Sequence, residues 1–227
     1  MGFRTSFFTL LLIALSAQTQ AQEWANVSRF QTDNAKIIAA KTPVKVVFMG
    51  NSITEAWPTA DADFFNTPGF VNRGISGQTT PQMLLRFKQD VIELHPKVVV
   101  ILAGTNDIAG NTGPTTVHEI FGHIESMASL AAAAGIKVVI CSVLPVFDYP
   151  WKPGLEPVQK IIDLNNKLKV FTVLKGHSYA DYFSAMANDK SGLREDLGSD
   201  GVHPNKKGYG LMKPIVLQAI EKALSNK

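Results

Sequence analysis

The stretch that decides the fold is VKVVFMGNSITEAW, residues 44–57. Its apolar, largely β-branched first part, residues 44–49, predicts a buried strand, and the Gly-Asn-Ser that follows predicts a turn. In an open parallel α/β sheet, ligands bind in the crevice beyond the carboxyl ends of the strands. Ser52 lies just past such an end and is therefore a candidate nucleophile. The same residue types also suit a turn that simply caps a helix, and this stretch alone leaves both interpretations open.

The rest of the chain alternates between strand and helix patterns. Further strands are predicted at residues 70–72, 97–103, 136–143 and 177–182, and helices at about 80–94, 117–134, 158–175 and 206–224. The strand at residues 97–103 is apolar in succession, which is typical of a strand buried on both faces. Strand and helix in alternation, with right-handed crossovers, predict an α/β fold with a doubly wound parallel sheet.

Length and composition fit a single domain that follows an N-terminal signal peptide. The chain has 227 residues, of which 45% are hydrophobic, enough for one sizeable core. Residues 1–21 place Arg4 before an apolar run and end in small residues at Ala21, which predicts a secretory signal peptide. The run at residues 7–15 is shorter than the roughly 20 apolar residues that a membrane span needs. We therefore expect one domain over residues 22–227, exported (periplasmic or extracellular) and without a stable membrane anchor.

The net charge and the positions of cysteine and histidine argue against nucleic acid, metal ions and cofactors as ligands. The net charge of +3 falls to +2 without Arg4, with 21 basic against 19 acidic residues, and this is too mild to indicate nucleic acid. The single cysteine, Cys141, lies in an apolar run and reads as a core residue. His118 and His123 are five residues apart, so they do not share a helical face as a zinc pair. Together with His95 and His177 they read as structural or surface residues, and we expect neither a metal nor a cofactor.

Four short polar clusters have the composition of a hydrolytic site. A serine hydroxyl needs a base within hydrogen-bond reach and a third group that orients the base. His203 suits the base and Asp200 the orienting acid, because a spacing of three residues brings both side chains to one side of a turn. An oxyanion formed by attack on an ester would be stabilised by the Ser52 N–H, the Gly74 N–H and the Asn106 side-chain amide.

These clusters resemble the sequence blocks of the SGNH hydrolases, the GDSL-like lipases and acylhydrolases, and they occur in the same order. The matching segments are Gly50-Asn51-Ser52-Ile53, Asn72-Arg73-Gly74-Ile75-Ser76-Gly77, Gly104-Thr105-Asn106-Asp107 and Asp200-Gly201-Val202-His203-Pro204. The resemblance covers about residues 44–224 and implies a flavodoxin-like three-layer α/β/α sandwich with about five parallel strands. It also implies the roles of nucleophile, base, orienting acid and oxyanion donors for Ser52, His203, Asp200, and Gly74 with Asn106.

One position departs from the family pattern. Asn51 stands where the family usually has an acid before the serine. An asparagine side chain still accepts and donates hydrogen bonds in such a turn, so the charge is lost rather than the geometry.

The resemblance implies an exported serine esterase that removes acyl groups, acetyl above all, from a small-molecule or carbohydrate ester. A lysophospholipase or thioesterase of the same family is the first alternative, and a catalytically silent carbohydrate-binding protein on this fold is the second. A phosphate or flavin binder is disfavoured, because the loop after the first strand has one glycine and no run of hydroxyl residues. Phe147, Tyr149 and Trp151 alternate in the loop at residues 145–157, where they suit either sugar faces or packing.

Overall fold

The computed structural model describes residues 23–225 and shows a five-stranded parallel sheet with helices on both faces. The strands are β1 Val46–Gly50, β2 Phe70–Gly74, β3 Val98–Leu102, β4 Lys137–Cys141 and β5 Ser178–Ala180. Their order across the sheet is β2-β1-β3-β4-β5, and every neighbouring pair is parallel. The predicted α/β class with about five parallel strands is confirmed. The predicted signal peptide, residues 1–21, lies outside the described residues.

The helices separate the strands as the alternation predicts. They are α1 Gln31–Ala39, α2 Ser52–Ala60, α3 Ala62–Phe65, α4 Thr80–Asp90, α5 Thr105–Ile108, α6 Val117–Ala133, α7 Val158–Lys175, α8 Tyr182–Met186 and α9 Lys206–Ser225. The helix predicted over residues 80–94 is shorter than expected: α4 ends at Asp90, a 3₁₀ turn follows over Ile92–Leu94, and His95 adopts a positive φ of 49° before Pro96. Within residues 23–225, no helix is both long and apolar enough to cross a membrane.

Two apolar cores lie on opposite faces of the sheet. Successive side chains of a strand point to opposite faces, so Val47 and Met49 of β1 enter one core while Val46 and Phe48 enter the other. The first core packs the sheet against α4, α6 and α7, and the second packs it against α2, α3 and α9. The result is a three-layer α/β/α sandwich.

The strand register aligns the carboxyl ends of three neighbouring strands. Gly50 at the end of β1 pairs with Gly74 of β2 and with Leu102 of β3. The three loops that leave these strands therefore start side by side at one edge of the sheet. Three of the four polar clusters lie in those loops.

Candidate active site

The nucleophile turn joins β1 directly to α2. Asn51 caps the helix, because its Oδ1 accepts a hydrogen bond from the Ile53 N–H at 3.2 Å. Ser52 is the first residue of α2, where a backbone N–H has no acceptor within the helix. The turn caps a helix, as one of the two interpretations expects, and it places Ser52 at the carboxyl edge of the sheet. The neutral Asn51 supplies the cap without a charge.

Ser52, His203 and Asp200 form a continuous chain of hydrogen bonds. The Ser52 Oγ lies 3.0 Å from the His203 Nε2, and the His203 Nδ1 lies 2.7 Å from the Asp200 Oδ2. The second oxygen of Asp200 accepts the backbone N–H groups of His203 at 2.7 Å and Val202 at 2.9 Å. The His203 and Asp200 side chains are 35% and 37% exposed, so this chain of groups is open to solvent.

Two opposing effects set the charge state of Asp200. Partial burial by itself raises the pKa of this carboxyl. Hydrogen bonds from the His203 N–H, the His203 ring and the Val202 N–H together lower the pKa by more than burial raises it. The net pKa is below the ordinary value of an aspartate. Asp200 is therefore ionised near neutral pH, which suits a group that fixes the tautomer of an imidazole.

The loop that carries Asp200 and His203 is held against α9 and, through it, against α2. Val202 is buried, and the Asn205 side chain caps α9 by accepting the Lys207 and Gly208 N–H groups at 2.9 and 3.0 Å. On the next turn, the Tyr209 hydroxyl donates to the Ile53 carbonyl at 2.8 Å. The helix that starts at Ser52 and the loop that carries His203 are thus connected through α9.

Gly74, which the sequence predicts as an oxyanion donor, already has a hydrogen-bond acceptor for its N–H. Its N–H donates to the Asn72 Oδ1 at 2.8 Å, so the donor assigned to the oxyanion already has an acceptor in the chain. Any Cβ at this position would overlap the backbone of Glu55. Gly74 instead allows β2 to pass close to α2, which is a packing requirement.

One N–H of the following loop has no acceptor among residues 23–225. The other N–H groups of this loop have acceptors: Ile75 donates to the Gly50 carbonyl, Ser76 to the Glu55 carboxylate and Gln78 to the Ile75 carbonyl. Gly77 has a positive φ of 77° and makes no such bond within the described part of the chain. Its N–H is therefore a better candidate for an oxyanion donor than that of Gly74.

Asn106 lies beside this loop. It is buried in α5, directly after β3, and its Nδ2 donates to the Gln78 carbonyl at 2.9 Å. The next residue, Asp107, is buried too and accepts the N–H and the hydroxyl of Thr80 at 2.9 and 2.5 Å. Burial raises the pKa of Asp107, against the effect of these hydrogen bonds. Asp107 thereby fastens the loop of Asn106 to the start of α4.

The aromatic loop after β4 divides into packing and exposed residues. Tyr149 is fully buried, and its hydroxyl donates to the Thr105 carbonyl at 2.8 Å. Phe147 and Trp151 are 59% and 46% exposed, and the Trp151 ring lies 6.1 Å from the His203 ring. Tyr149 thus holds the loop in place, while the exposed Trp151 ring lies next to the His203 ring.

The remaining histidines and the cysteine lie away from this chain of groups. His95 and His118 are exposed, His123 contacts the Thr80 hydroxyl at 3.0 Å, and His177 packs on Phe171. Burial raises the pKa of the Cys141 thiol to about 12. In residues 23–225, no group of three or more His, Cys, Asp or Glu side chains is arranged to hold a metal ion.

Sequence comparison agrees with this architecture. A profile of the GDSL-like lipase/acylhydrolase family matches residues 48–211. The chain belongs to this family, as the four blocks predict. A crystal structure of a GDSL-like lipase from Bacteroides thetaiotaomicron is 46% identical, with a TM-score of 0.84, over 88% of this chain and 99% of that one. A second structure, from Bacteroides fragilis, is 43% identical, with a TM-score of 0.85, over 88% and 98% of the two chains.

A more distant relative has a curated activity. An acetylxylan esterase from Xylanibacter ruminicola is 24% identical over 214 residues, which is 78% of this chain and 43% of the relative. The chain therefore spans less than half the length of that enzyme.

Sequence reasoning assigned no function to Gly77 or Asp107, although both lie in the blocks that it identified. The sequence does contain a signal for Asp107, since an acid that closely follows a buried strand lies at the edge of the sheet where ligands bind. No sequence signal separates Gly77 from Gly74, because the difference depends on which N–H already has an acceptor.

Proposed function

We propose that this chain is an exported serine esterase that hydrolyses short-chain acyl esters, acetyl esters above all, through Ser52, His203 and Asp200. The observation that carries the proposal is the hydrogen-bonded order Ser52 Oγ, His203 Nε2, His203 Nδ1, Asp200 Oδ2, with separations of 3.0 and 2.7 Å. A serine with a base in reach and an acid behind the base is the arrangement that activates a hydroxyl for nucleophilic attack.

The reaction follows from these positions. The Ser52 Oγ attacks the carbonyl carbon of the ester while the His203 Nε2 takes the hydroxyl proton. The same proton then passes from His203 to the leaving alcohol, which leaves an acyl group on Ser52. Water, deprotonated by His203, then attacks this acyl group, and as the bond to the Ser52 Oγ breaks, His203 returns the proton to that oxygen and the acid is released. Asp200 keeps its charge throughout, because it only orients the ring and stabilises the imidazolium.

The oxyanion needs donors that already point to its position. We assign this role to the Ser52 N–H, to the Asn106 amide and to the Gly77 N–H in place of Gly74. The start of α2 adds the positive end of a helix dipole, which favours a developing negative charge near Ser52.

Three observations support an acetylated carbohydrate as the substrate. The relative from Xylanibacter ruminicola is an acetylxylan esterase. The partial exposure of His203 and Asp200 leaves room for a bulky alcohol. The exposed face of Trp151 beside His203 offers rigid apolar area to a sugar ring. A lysophospholipase or thioesterase is the alternative within the family, and the intact chain of hydrogen bonds disfavours a catalytically silent binder. Export follows from the pattern of residues 1–21.

Hydrolysis of p-nitrophenyl acetate by Ser52→Ala, His203→Ala and the double variant tests the proposal. Each single change should lower kcat by about 10⁴–10⁶-fold, and the double variant should lose little more, because both residues act in one step. His118→Ala is the matched control, since His118 is exposed on α6 and should leave kcat unchanged. A Ser52→Ala variant with wild-type kcat, or losses that add in full, would contradict the proposal.

A further inference from the structure

Arg86 is a fully buried cation that the proposed reaction does not use. It lies on α4 between the core residues Met83 and Phe87, and it is 0% exposed. Its Nη1 pairs with Asp90, one helical turn further on, at 3.0 Å. The remaining donors leave the helix: Nη2 donates to the Gly50 carbonyl at 3.1 Å and Nε to the Gln78 Oε1 at 2.6 Å.

Both outward acceptors of Arg86 belong to the active site. Gly50 ends β1 two residues before Ser52. Gln78 directly follows Gly77, and its carbonyl accepts the Asn106 amide at 2.9 Å. One guanidinium therefore bridges the turn of Ser52 and the loop that contains Gly77 and accepts a hydrogen bond from Asn106.

We propose that Arg86, with Asp90 as its counter-ion, is a positioning residue that holds the nucleophile turn and the oxyanion loop in a fixed relation to each other. The inference rests on the proposed function of Ser52. Arg86 touches neither the substrate nor the reacting atoms, and it acts through the Gly50 carbonyl and the Gln78 side chain.

The surroundings of Arg86 fit positioning better than core stability. Removing two charges from water is unfavourable, and a buried ion pair often stabilises a fold no more than an apolar pair of similar volume. Arginine, however, has a rigid planar fork that directs several donors at fixed angles. The side chains that accept from Arg86 are fixed by further hydrogen bonds. The Gln78 Nε2 donates to the Ala25 carbonyl at 2.6 Å, and the Asp90 Oδ1 accepts from the Asn34 Nδ2 at 2.7 Å.

The first test replaces the whole ion pair. The double variant Arg86→Met/Asp90→Leu removes both charges and preserves volume, but it takes a partner from the buried Gln78 Oε1 and Asn34 Nδ2, so it should fold with a lowered melting temperature. We expect its kcat on p-nitrophenyl acetate to fall about 10²-fold at a nearly unchanged KM, because a small misplacement of reacting groups has an effect of this size.

A second variant, Arg86→Lys, tests the positioning role if the double variant does not fold. Arg86→Lys keeps the positive charge beside Asp90 but cannot direct donors to both Gly50 and Gln78. Its kcat should fall by about 10-fold or more, again with KM nearly unchanged. Lys88→Met is the control, because Lys88 lies on the same helix with a side chain that is 82% exposed, and it should keep wild-type kcat.

Wild-type kcat in a folded Arg86→Met/Asp90→Leu variant, or in a folded Arg86→Lys variant, would overturn the positioning role while the proposed function stands. The same conclusion would follow if only KM changed. A wild-type protein without esterase activity, or a Ser52→Ala variant that keeps it, would instead overturn the proposed function and this inference with it.

Discussion

The Asn106 side chain is the residue on which the oxyanion assignment depends most. Its amide is buried and donates to the loop beside Ser52. We expect Asn106→Ala to lower kcat by about 10²–10³-fold with little change in KM, because the amide meets charge that develops only in the transition state. Steady-state kinetics on p-nitrophenyl acetate measures this split.

Asn111→Ala is the matched control for that change. The Asn111 Nδ2 also donates to the same loop, at the Gly77 carbonyl, with a distance of 3.1 Å, but Asn111 is exposed. If Asn106 only fixed the loop, the two variants would lose similar activity. A loss confined to KM would also reject a role in the transition state.

The two glycines of the second block show where sequence reasoning reaches its limit. The block itself is recognisable, and Gly74 is an obvious choice within it. The acceptors of the individual N–H groups favour Gly77 instead, since the Gly74 N–H donates to Asn72 while the Gly77 N–H has no acceptor within residues 23–225. Hydrogen-bond partners between loops depend on strand register and are not readable from a local pattern.

At the scale of elements, the close approach of β2 and α2 positions Ser52. A Cβ at Gly74 would overlap the backbone of Glu55, which cannot swing aside as a flexible side chain could. We expect Gly74→Ala to reduce the free energy of unfolding by about 1–3 kcal/mol, as overpacking does, and to lower kcat because α2 must shift. Chemical denaturation and ester hydrolysis measure the two effects.

Gly122→Ala provides the comparison for Gly74→Ala. Gly122 lies within α6 and a Cβ there would meet open space. Alanine should therefore raise the free energy of unfolding by about 0.5–1 kcal/mol and leave kcat unchanged. An unaltered stability and activity in Gly74→Ala would show that the contact between β2 and α2 is not as tight as described.

Long apolar patterns predict elements better than short polar ones do. Helix α7 begins and ends where its pattern indicates, at Val158 and Lys175. At Ser52 the sequence predicts a turn, with a helix cap as an open alternative, and at Thr105 it predicts no helix, whereas the structure has helices α2 and α5 that start at these residues. Arg86 and Asp90 share one face of α4 with Met83 and Phe87, so their i, i+4 spacing on an apolar face was a signal that sequence analysis left unused.

Across the whole molecule, the segments between the four blocks form core helices and strands, except for the loops at residues 142–157 and 187–199. No long apolar insertion remains there to form an acyl tunnel. Each buried CH₂ would contribute about 0.8 kcal/mol, so a tunnel would make activity climb steeply with chain length. We expect kcat/KM for p-nitrophenyl esters from acetate to decanoate to be highest for acetate.

Acetylated oligosaccharides complete that series. Acetate release from them is expected and would place the alcohol among carbohydrates. A maximum at octanoate or longer, with no acetate released from any sugar, would contradict the preference for short acyl groups and favour the lysophospholipase alternative.

The central claim is that Ser52 is a nucleophile activated by His203. Mass spectrometry after treatment with an organophosphonate ester, a reagent that traps activated serines, tests it most directly. We expect one adduct per chain, located on Ser52, with its formation strongly slowed in His203→Ala because the hydroxyl then lacks its base. Absence of an adduct in the active wild type, an adduct on another serine, or equal labelling of the wild type and His203→Ala would contradict it.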